Sequence, residues 1–392
     1  MKVGAGIHTL HTADWERIDA KDWSRPPSIP DHVALEQTLE LGDLVEPLGF
    51  DCLWASEHFG SPYGMVPNVL QWLTYWAGRT EKIDVGSIVV VVPWWNPVRL
   101  AHEVAMLDIL LRGREFKMGV GRGIAPDEYG ALGVPQTESR ERFRETIEIL
   151  KLGLTRQRFS YDGEIFKVPE TSIRPGPRHS DIGEKILCAF NTPESMVMAA
   201  ELGFGQLFVP ATPVEEMRKN VIKYNSIRAT RGLGPDQPTI YLWGYCVPKE
   251  REIEKGVGYF RRYQGEAATH YGFGDIARFA KIKGYESYAD FSKTLGGIGA
   301  PHYDNAFDDP FLASQAIGTP EQIIARVERL QKMTGVKEIM LVFNYGGMPH
   351  AESLASMKLF AKEVLPVLKQ MPTPLMTEEG PTASEAAAPA AK

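Results

Sequence analysis

Apolar positions along this chain alternate between two periods. Short, continuous runs of β-branched and aromatic residues recur, each followed by a stretch in which apolar residues return every third or fourth position. The clearest run is Asp84–Val92, where Ile88 and four consecutive valines leave no room for a solvent face. A parallel strand covered on both sides reads this way. Pro93, Trp94 and Trp95 end it, and Asn96 followed by Pro97 supplies a helix cap with proline in the first turn. Leu100, Val104, Leu107 and Leu111 then recur at helical spacing, so the helix lays one stripe on the sheet. After Arg112, Gly113 and Arg114 a new strand, Glu115–Gly121, runs into Gly121-Arg122-Gly123, a cationic tip flanked by glycines.

The same unit repeats. Strands are predicted at Lys2–His8, Asp51–Ser56, Asp84–Val92, Glu115–Gly121, Lys185–Phe190, Gln206–Val209, Thr239–Val247 and Glu338–Phe343. Helical segments follow each: from Asp31 to Gly49, about Val66–Gly78, Asn96–Leu111, about Glu138–Leu152, from Thr192, from Thr212, Lys249–Tyr263 and Ala351–Leu368, with a further helix capped by Thr319. Alternation of strand and helix implies a parallel sheet. The open, doubly wound alternative lacks its phosphate fingerprint, because Ile124 stands where the third glycine of Gly119-Val-Gly-Arg-Gly belongs. The count favours an α/β chain folded as a (β/α)8 TIM barrel with insertions, whose site lies at the C-terminal ends of the strands. Three stretches depart from the repeat. Thr9–Pro30, with Trp15 and Trp23, is long for a connection and suits a lid or pocket wall. Residues 159–180 form a hairpin insertion around Asp162-Gly163, and 271–316 read as irregular and rich in Gly, Tyr, Phe and Asp. The expected organisation is one domain, 1–370, and a disordered tail, 371–392.

Composition narrows the function classes. The chain has 392 residues and a net charge of −7, which argues against a general nucleic-acid binder or an anionic-membrane partner. No apolar run approaches membrane-spanning length, and Met1–Gly4 enters a strand without a signal-peptide profile. The three cysteines, Cys52, Cys188 and Cys246, each fall inside a predicted strand and lack metal-ligand spacing. Buried, reduced thiols in a cytoplasmic protein are the expectation.

The strand ends gather His8, Glu57, His58, Trp94, Trp95, Arg122, Phe190, Asn191, Pro210, Val247 and Asn344. They contain no carboxylate pair of a glycosidase, no Ser-His-Asp arrangement and no metal-ligand set. A large aromatic pocket with few ionisable groups suits a flat organic cofactor. Arg122 is a forked donor suited to a phosphate, although an arginine in a surface loop reads the same way. Thr192–Ser195 opens a helix whose N-terminus could complete that site, but Thr212 and Thr319 share the same cap chemistry with no function implied. His58 suits a general acid or base, its charge influenced by Glu57, or a histidine packed at a strand end. Tyr63, Met65, Trp94 and Trp95 suit either a substrate pocket or the core.

Leu48–His58, Asn96–Arg99, Glu103–Asp108, Gly119–Gly123, Gly318–Glu321 and Ala355–Phe360 together resemble the bacterial luciferase-like flavin monooxygenases, over about Met1–Lys369. The resemblance implies a barrel that binds reduced FMN from a separate reductase and uses O2 to oxygenate a small organic substrate through a flavin hydroperoxide. It implies that Arg122, the backbone amides of Glu194 and Ser195 and the Ser195 hydroxyl hold the FMN phosphate. Ile88 and Val89, often joined by a non-proline cis bond in the family, would meet the flavin ring. His58 would be catalytic, His8, Tyr63, Met65, Trp94 and Trp95 would line the pocket, and 271–316 would close over it. A homodimer is implied as well. Luciferase has a second histidine at the position of Phe59 and a cysteine at that of Gly121, so oxygenation rather than light emission is expected. A deazaflavin-dependent oxidoreductase of the same superfamily and a non-catalytic flavin-binding subunit are the rival readings.

Overall fold

A computed structural model describes residues 1–190, 192–209, 212–294, 301–377 and 380–381. Eight parallel strands close into a barrel: β1 (Lys2–Gly6), β2 (Cys52–Ala55), β3 (Asp84–Val91), β4 (Phe116–Gly121), β5 (Leu187–Ala189), β6 (Gly205–Phe208), β7 (Thr239–Cys246) and β8 (Glu338–Val342). Each pairs with its neighbour in chain order, and β1 returns to β8 with Lys2 opposite Glu338 and Gly6 opposite Val342. These are the eight strands expected from the apolar runs, and the helices between them form the outer layer.

Alternation sorts the two faces of each strand. Along β7, Tyr241, Trp243 and Tyr245 join Trp54, Tyr63, Tyr263 and Tyr345 in an aromatic interior, while Ile240, Leu242 and Cys246 face the helices. Asn96 caps the helix Pro97–Leu110 by accepting from Val98 N and Arg99 N at 3.1 and 3.0 Å, the chemistry expected of that dipeptide. At the N-terminal mouth Lys117 pairs with Glu338 at 2.6 Å, and Trp54 Nε1 donates to the same carboxylate at 3.1 Å. A cavity of about 780 Å3 opens at this mouth, lined by Lys117, Glu338, Asp236 and Lys337, at the opposite end from the candidate site.

The structure differs from the sequence reading in the connections. A hairpin, His58–Ser61 with Gly64–Val66, precedes the helix, which starts at Val69 rather than Val66. The strands are short and carry glycines, so no alternation announces them. Gly64 is needed there, because a Cβ would lie 2.3 Å from that of His58. The Thr9–Pro30 loop contains a 3-10 turn, Thr12–Asp14, and a short helix, Trp15–Asp19. Trp15 is buried and Trp23 is 68% exposed, so Trp23 walls no pocket. The helix after β7 runs to His270 rather than Tyr263, carried on by the buried Ala267. The stretch 271–316 holds helices at Ile276–Phe279, Tyr288–Thr294 and Pro310–Ala313, and a short strand, Ala316–Gly318, that pairs with the end of β7. Residues 295–300 of that stretch, with Asn191 and Pro210, lie outside the described residues. In the tail, read as lacking a core, Met376 is nonetheless buried and Gln237 and Gln331 donate to the carbonyls of Pro372–Pro374. Residues 378–379 and 382–392 lie outside the described residues. All three cysteines are buried and free.

Candidate functional site

The C-terminal ends of β1 to β4 and the helix after β7 converge on two neighbouring groups of polar atoms. The first surrounds His58, which the hairpin lifts above the end of β2. Its Nδ1 lies 3.0 Å from Glu128 Oε1, and Nε2 lies 3.4 Å from the hydroxyl of Tyr271. Glu128 sits in the first turn of the helix Pro126–Ala131, in the connection after β4, and also accepts from Phe59 N at 3.1 Å. Its carboxyl is held at about 2: burial opposes ionisation, but the neighbouring His58 and His270 outweigh it. An ionised Glu128 assigns the proton on His58 Nδ1 and leaves Nε2 facing Tyr271. From Tyr271 a chain of hydroxyls continues to Tyr63 at 3.2 Å and on to Tyr263 at 2.7 Å. His270 stacks on Tyr63 with ring centroids 4.4 Å apart.

Glu57 is not the partner of His58. Its buried carboxylate points to β3, accepting from Val91 N at 2.8 Å, Trp95 Nε1 at 3.2 Å and Val69 N at 3.5 Å, and burial pushes its pKa up to about 8. Trp95 is therefore tied through its indole N–H to Glu57 and packs against the core cluster between strands and helices. Met65 likewise takes no part in the cluster: it lines a groove of about 550 Å3 with Phe59, Asp14 and Arg17. Trp94 does face this region, edge-on to Phe59, with a buried Nε1 that has no hydrogen-bond partner among the described residues. His8, at the end of β1, lies 3.2 Å from Ser56 Oγ and 3.3 Å from the Tyr241 hydroxyl, and burial lowers its pKa to about 3, leaving it neutral.

The second group surrounds Arg122. Its guanidinium is buried: Nη2 donates to Gly284 O at 2.8 Å and reaches Ser195 Oγ at 3.4 Å, and Nη1 has no partner among the described residues. The ring of Tyr285 lies beneath it, 4.5 Å from the guanidinium carbon, and the Tyr285 hydroxyl donates to Gly123 O at 2.7 Å. Ser195 belongs to the first turn of the helix Pro193–Glu201, where Thr192 caps Ser195 N at 3.3 Å; Glu194 is exposed. Arg140 stands beside Gly284, its Nη2 2.6 Å from where a Cβ would be; the exposed Glu194 carboxylate is held below its ordinary range first by its own backbone amide and in smaller part by Arg140. Beside this group the Ile88–Val89 peptide bond is cis, at the place where the register of β3 against β4 shifts, and Val89 packs where a Cβ on Gly121 would fall.

The structure thus gathers His58, Tyr63 and Trp94 with Glu128, His270 and Tyr271, and Arg122 and Ser195 with Arg140 and Tyr285. Glu128 was within reach of sequence reasoning, as a carboxylate in the connection after a barrel strand. His270, Tyr271 and Tyr285 were not, because nothing in their spacing shows which way a long insertion folds. His58, Glu128 and His270 also form a group of metal-ligand type, which the sequence reading did not find; their ligand atoms lie within 4.8 Å of one another.

Comparison with known proteins agrees with this architecture. The family described as luciferase-like monooxygenase matches residues 17–337. The chain is 26% identical over 354 residues to the alkanal monooxygenase alpha chain of the Kryptophanaron alfredi symbiont, covering 88% of this chain and 96% of that one. Among solved structures it resembles the oxygenating constituent of 3,6-diketocamphane monooxygenase from Pseudomonas putida in complex with FMN, with a TM-score of 0.67, 20% identity and coverage of 93% and 98%. It resembles an F420-dependent secondary alcohol dehydrogenase to the same degree, with a TM-score of 0.67, 16% identity and coverage of 94% and 98%. The two structural likenesses speak to the fold. With the family matched over most of its length, this chain belongs to the luciferase-like monooxygenases.

Proposed function

We propose that this protein is a two-component monooxygenase that takes reduced FMN from a separate reductase and uses O2 to oxygenate a small apolar organic substrate. The observation that carries the reading is the buried guanidinium of Arg122 with Nη1 unpaired among the described residues. A buried, unmet cationic donor beside a hydroxyl and a helix N-terminus is matched by a phosphate. Arg122, the Ser195 hydroxyl, the backbone amide of Glu194 and the neighbouring Arg140 would hold the FMN phosphate, with Ile88 and Val89 along the ring. The alkanal and diketocamphane monooxygenases, one a relative and one a structural neighbour with FMN in its structure, support this assignment.

Bound reduced FMN would supply the electrons that activate O2. The residues of the chain supply the rest. His58 holds a proton on Nδ1 against Glu128 and presents Nε2 to the reaction, as acid or base according to its charge. Tyr63, Tyr241 and Trp243 build an apolar wall that keeps water out, with neutral His8 and Trp94 completing the substrate pocket. Tyr75, Met106 and Leu110, exposed on the helices Val69–Arg79 and Pro97–Leu110, would be covered in a homodimer. A second reading, a deazaflavin-dependent oxidoreductase, draws on Arg140 as an extra cation beside Arg122 and on the F420-dependent neighbour.

The deciding experiment mixes protein-bound reduced FMN with aerated buffer and follows absorbance, then repeats it with 18O2 and candidate aldehydes, ketones and terpenoids. Slow, protein-dependent reoxidation and 18O in the product are expected. His58→Ala should leave FMN binding intact and lower turnover about 10²–10⁴-fold. Reoxidation indistinguishable from free flavin would refute the proposal, and reduced deazaflavin would be tested next.

A further inference from the structure

The structure brings two imidazoles and one carboxylate to a point from three separate segments: His58 from the hairpin after β2, Glu128 from the connection after β4 and His270 from the last turn of the helix Ile253–His270. A tetrahedral zinc-class ion, held at about 2.0–2.1 Å by nitrogen and oxygen, needs donors roughly 3.3 Å apart. Here His58 Nδ1 lies 3.0 Å and His270 Nε2 lies 3.6 Å from the same oxygen of Glu128, one edge just under that spacing and one just over it. The third edge is within 4.8 Å. Shifts of a few tenths of an ångström would bring the two edges through Glu128 to coordination distance.

An independent feature points to a ligand. The His270 side chain is only 3% exposed, yet its Nε2 has no hydrogen-bond partner among the described residues, since 3.6 Å to Glu128 is beyond hydrogen-bond reach. A buried ring nitrogen left without a partner, aimed at a carboxylate and a second imidazole, is costly unless something occupies the gap. The supporting contacts are those of a metal site too. Histidine ligands use one nitrogen for the metal and donate from the other to a neighbour that fixes the ring. His270 Nδ1 lies 2.8 Å from Ser61 Oγ, His58 Nε2 lies 3.4 Å from the Tyr271 hydroxyl, and Glu128 takes a backbone proton from Phe59.

We propose that His58 Nδ1, Glu128 and His270 Nε2 form a binding site for a zinc-class divalent cation, with a fourth position left for water. Two imidazoles and one carboxylate select a borderline transition ion over magnesium or calcium, which prefer all-oxygen ligands. The site stands on this geometry alone. Its consequence rests on the function proposed above: an ion on Nδ1 displaces the proton that His58 holds against Glu128, so Zn2+ would inhibit turnover reversibly and a chelator would restore it.

The test titrates Co2+ into the metal-free full-length protein and follows visible absorption, with FMN binding measured separately by fluorescence on the same preparations. One equivalent of cobalt with the spectrum of a four-coordinate ion is expected. His270→Ala and His270→Gln should each weaken binding about 100-fold or more. X-ray absorption of the wild-type zinc complex, which needs no variant, should count two imidazole nitrogens. No cobalt spectrum, a spectrum indifferent to both His270 replacements (a surface histidine such as His302 instead), or a zinc complex without two imidazoles would each overturn the site. A His270-dependent cobalt spectrum in a protein that does not bind FMN would uphold it while refuting the flavin reading.

Discussion

If Arg122 is the phosphate anchor, its removal must weaken FMN far more than riboflavin, which has the same ring and no phosphate. The size follows from the surroundings of Arg122. Nη1 is buried and unpaired among the described residues, and Nη2 is engaged by Gly284 O at 2.8 Å. Two charge-assisted hydrogen bonds to a phosphate contribute about 1.5–3 kcal/mol each. Against this stands the bond to Gly284, which must be surrendered or shared at a cost of about 1–2 kcal/mol. Arg122→Ala should therefore cost about 2–4 kcal/mol in FMN affinity, roughly a 30- to 700-fold rise in Kd. Riboflavin affinity should change less than about threefold, because the ring is held elsewhere. Arg122→Lys should recover only part of the loss, since an ammonium cannot reproduce the fork. Quenching of flavin fluorescence measures all six constants, and thermal unfolding checks that each variant is folded. Equal losses for FMN and riboflavin, or none for either, would refute the assignment of Arg122 to the phosphate.

Further predictions follow from groups outside that anchor. Lys117→Met leaves Glu338 buried without its ion-pair partner and should cost about 3–5 kcal/mol in urea unfolding, while the double variant with Glu338→Leu should regain most of it. His8 has its pKa lowered by burial to about 3. Below its ordinary value of about 6.5 the unfolded chain takes up a proton that the folded protein refuses, so stability is lost as pH falls from there toward about 3. At about pH 5 this amounts to about 2 kcal/mol, which His8→Asn should remove, read as a smaller difference between unfolding midpoints at about pH 7 and about pH 5. Gly64→Ala forces a Cβ to within 2.3 Å of that of His58 and should displace the hairpin, lowering turnover at least about tenfold while FMN affinity holds; unchanged turnover would show that the hairpin adapts.

The architecture was written locally. The clearest barrel strand is the run Asp84–Val91, apolar on both faces because helices cover one side and the barrel interior fills the other, and several of the following helices carry their own cap, as Asn96 and Thr192 do. Other helices, such as those opening at Asp31 and Val214, start without a side-chain cap. Where such a cap or apolar run is present it depends on neighbours a few residues apart, so the chain displays it without its fold. The same holds for His58 and Arg122, which stand at strand ends and are marked by position alone. Their partners are a different matter. Glu57, adjacent in sequence, turns toward Val91 and Trp95, whereas Glu128, seventy positions away, meets His58. Successive residues at a strand end point to opposite sides, so adjacency there argues against contact. His270, Tyr271 and Tyr285 reach the site only because the helix after β7 and the segment beyond it fold back over the barrel mouth. That path is set by packing of Phe273, Phe279 and Tyr285 against the aromatic interior and leaves no period in the sequence. The sequence by itself determined the barrel and the positions of His58 and Arg122 at its strand ends. The tertiary structure alone decided which carboxylate faces the histidine, which tyrosine lies under the arginine and where the third metal-type ligand comes from, because each of those contacts joins segments whose approach depends on the whole packed core.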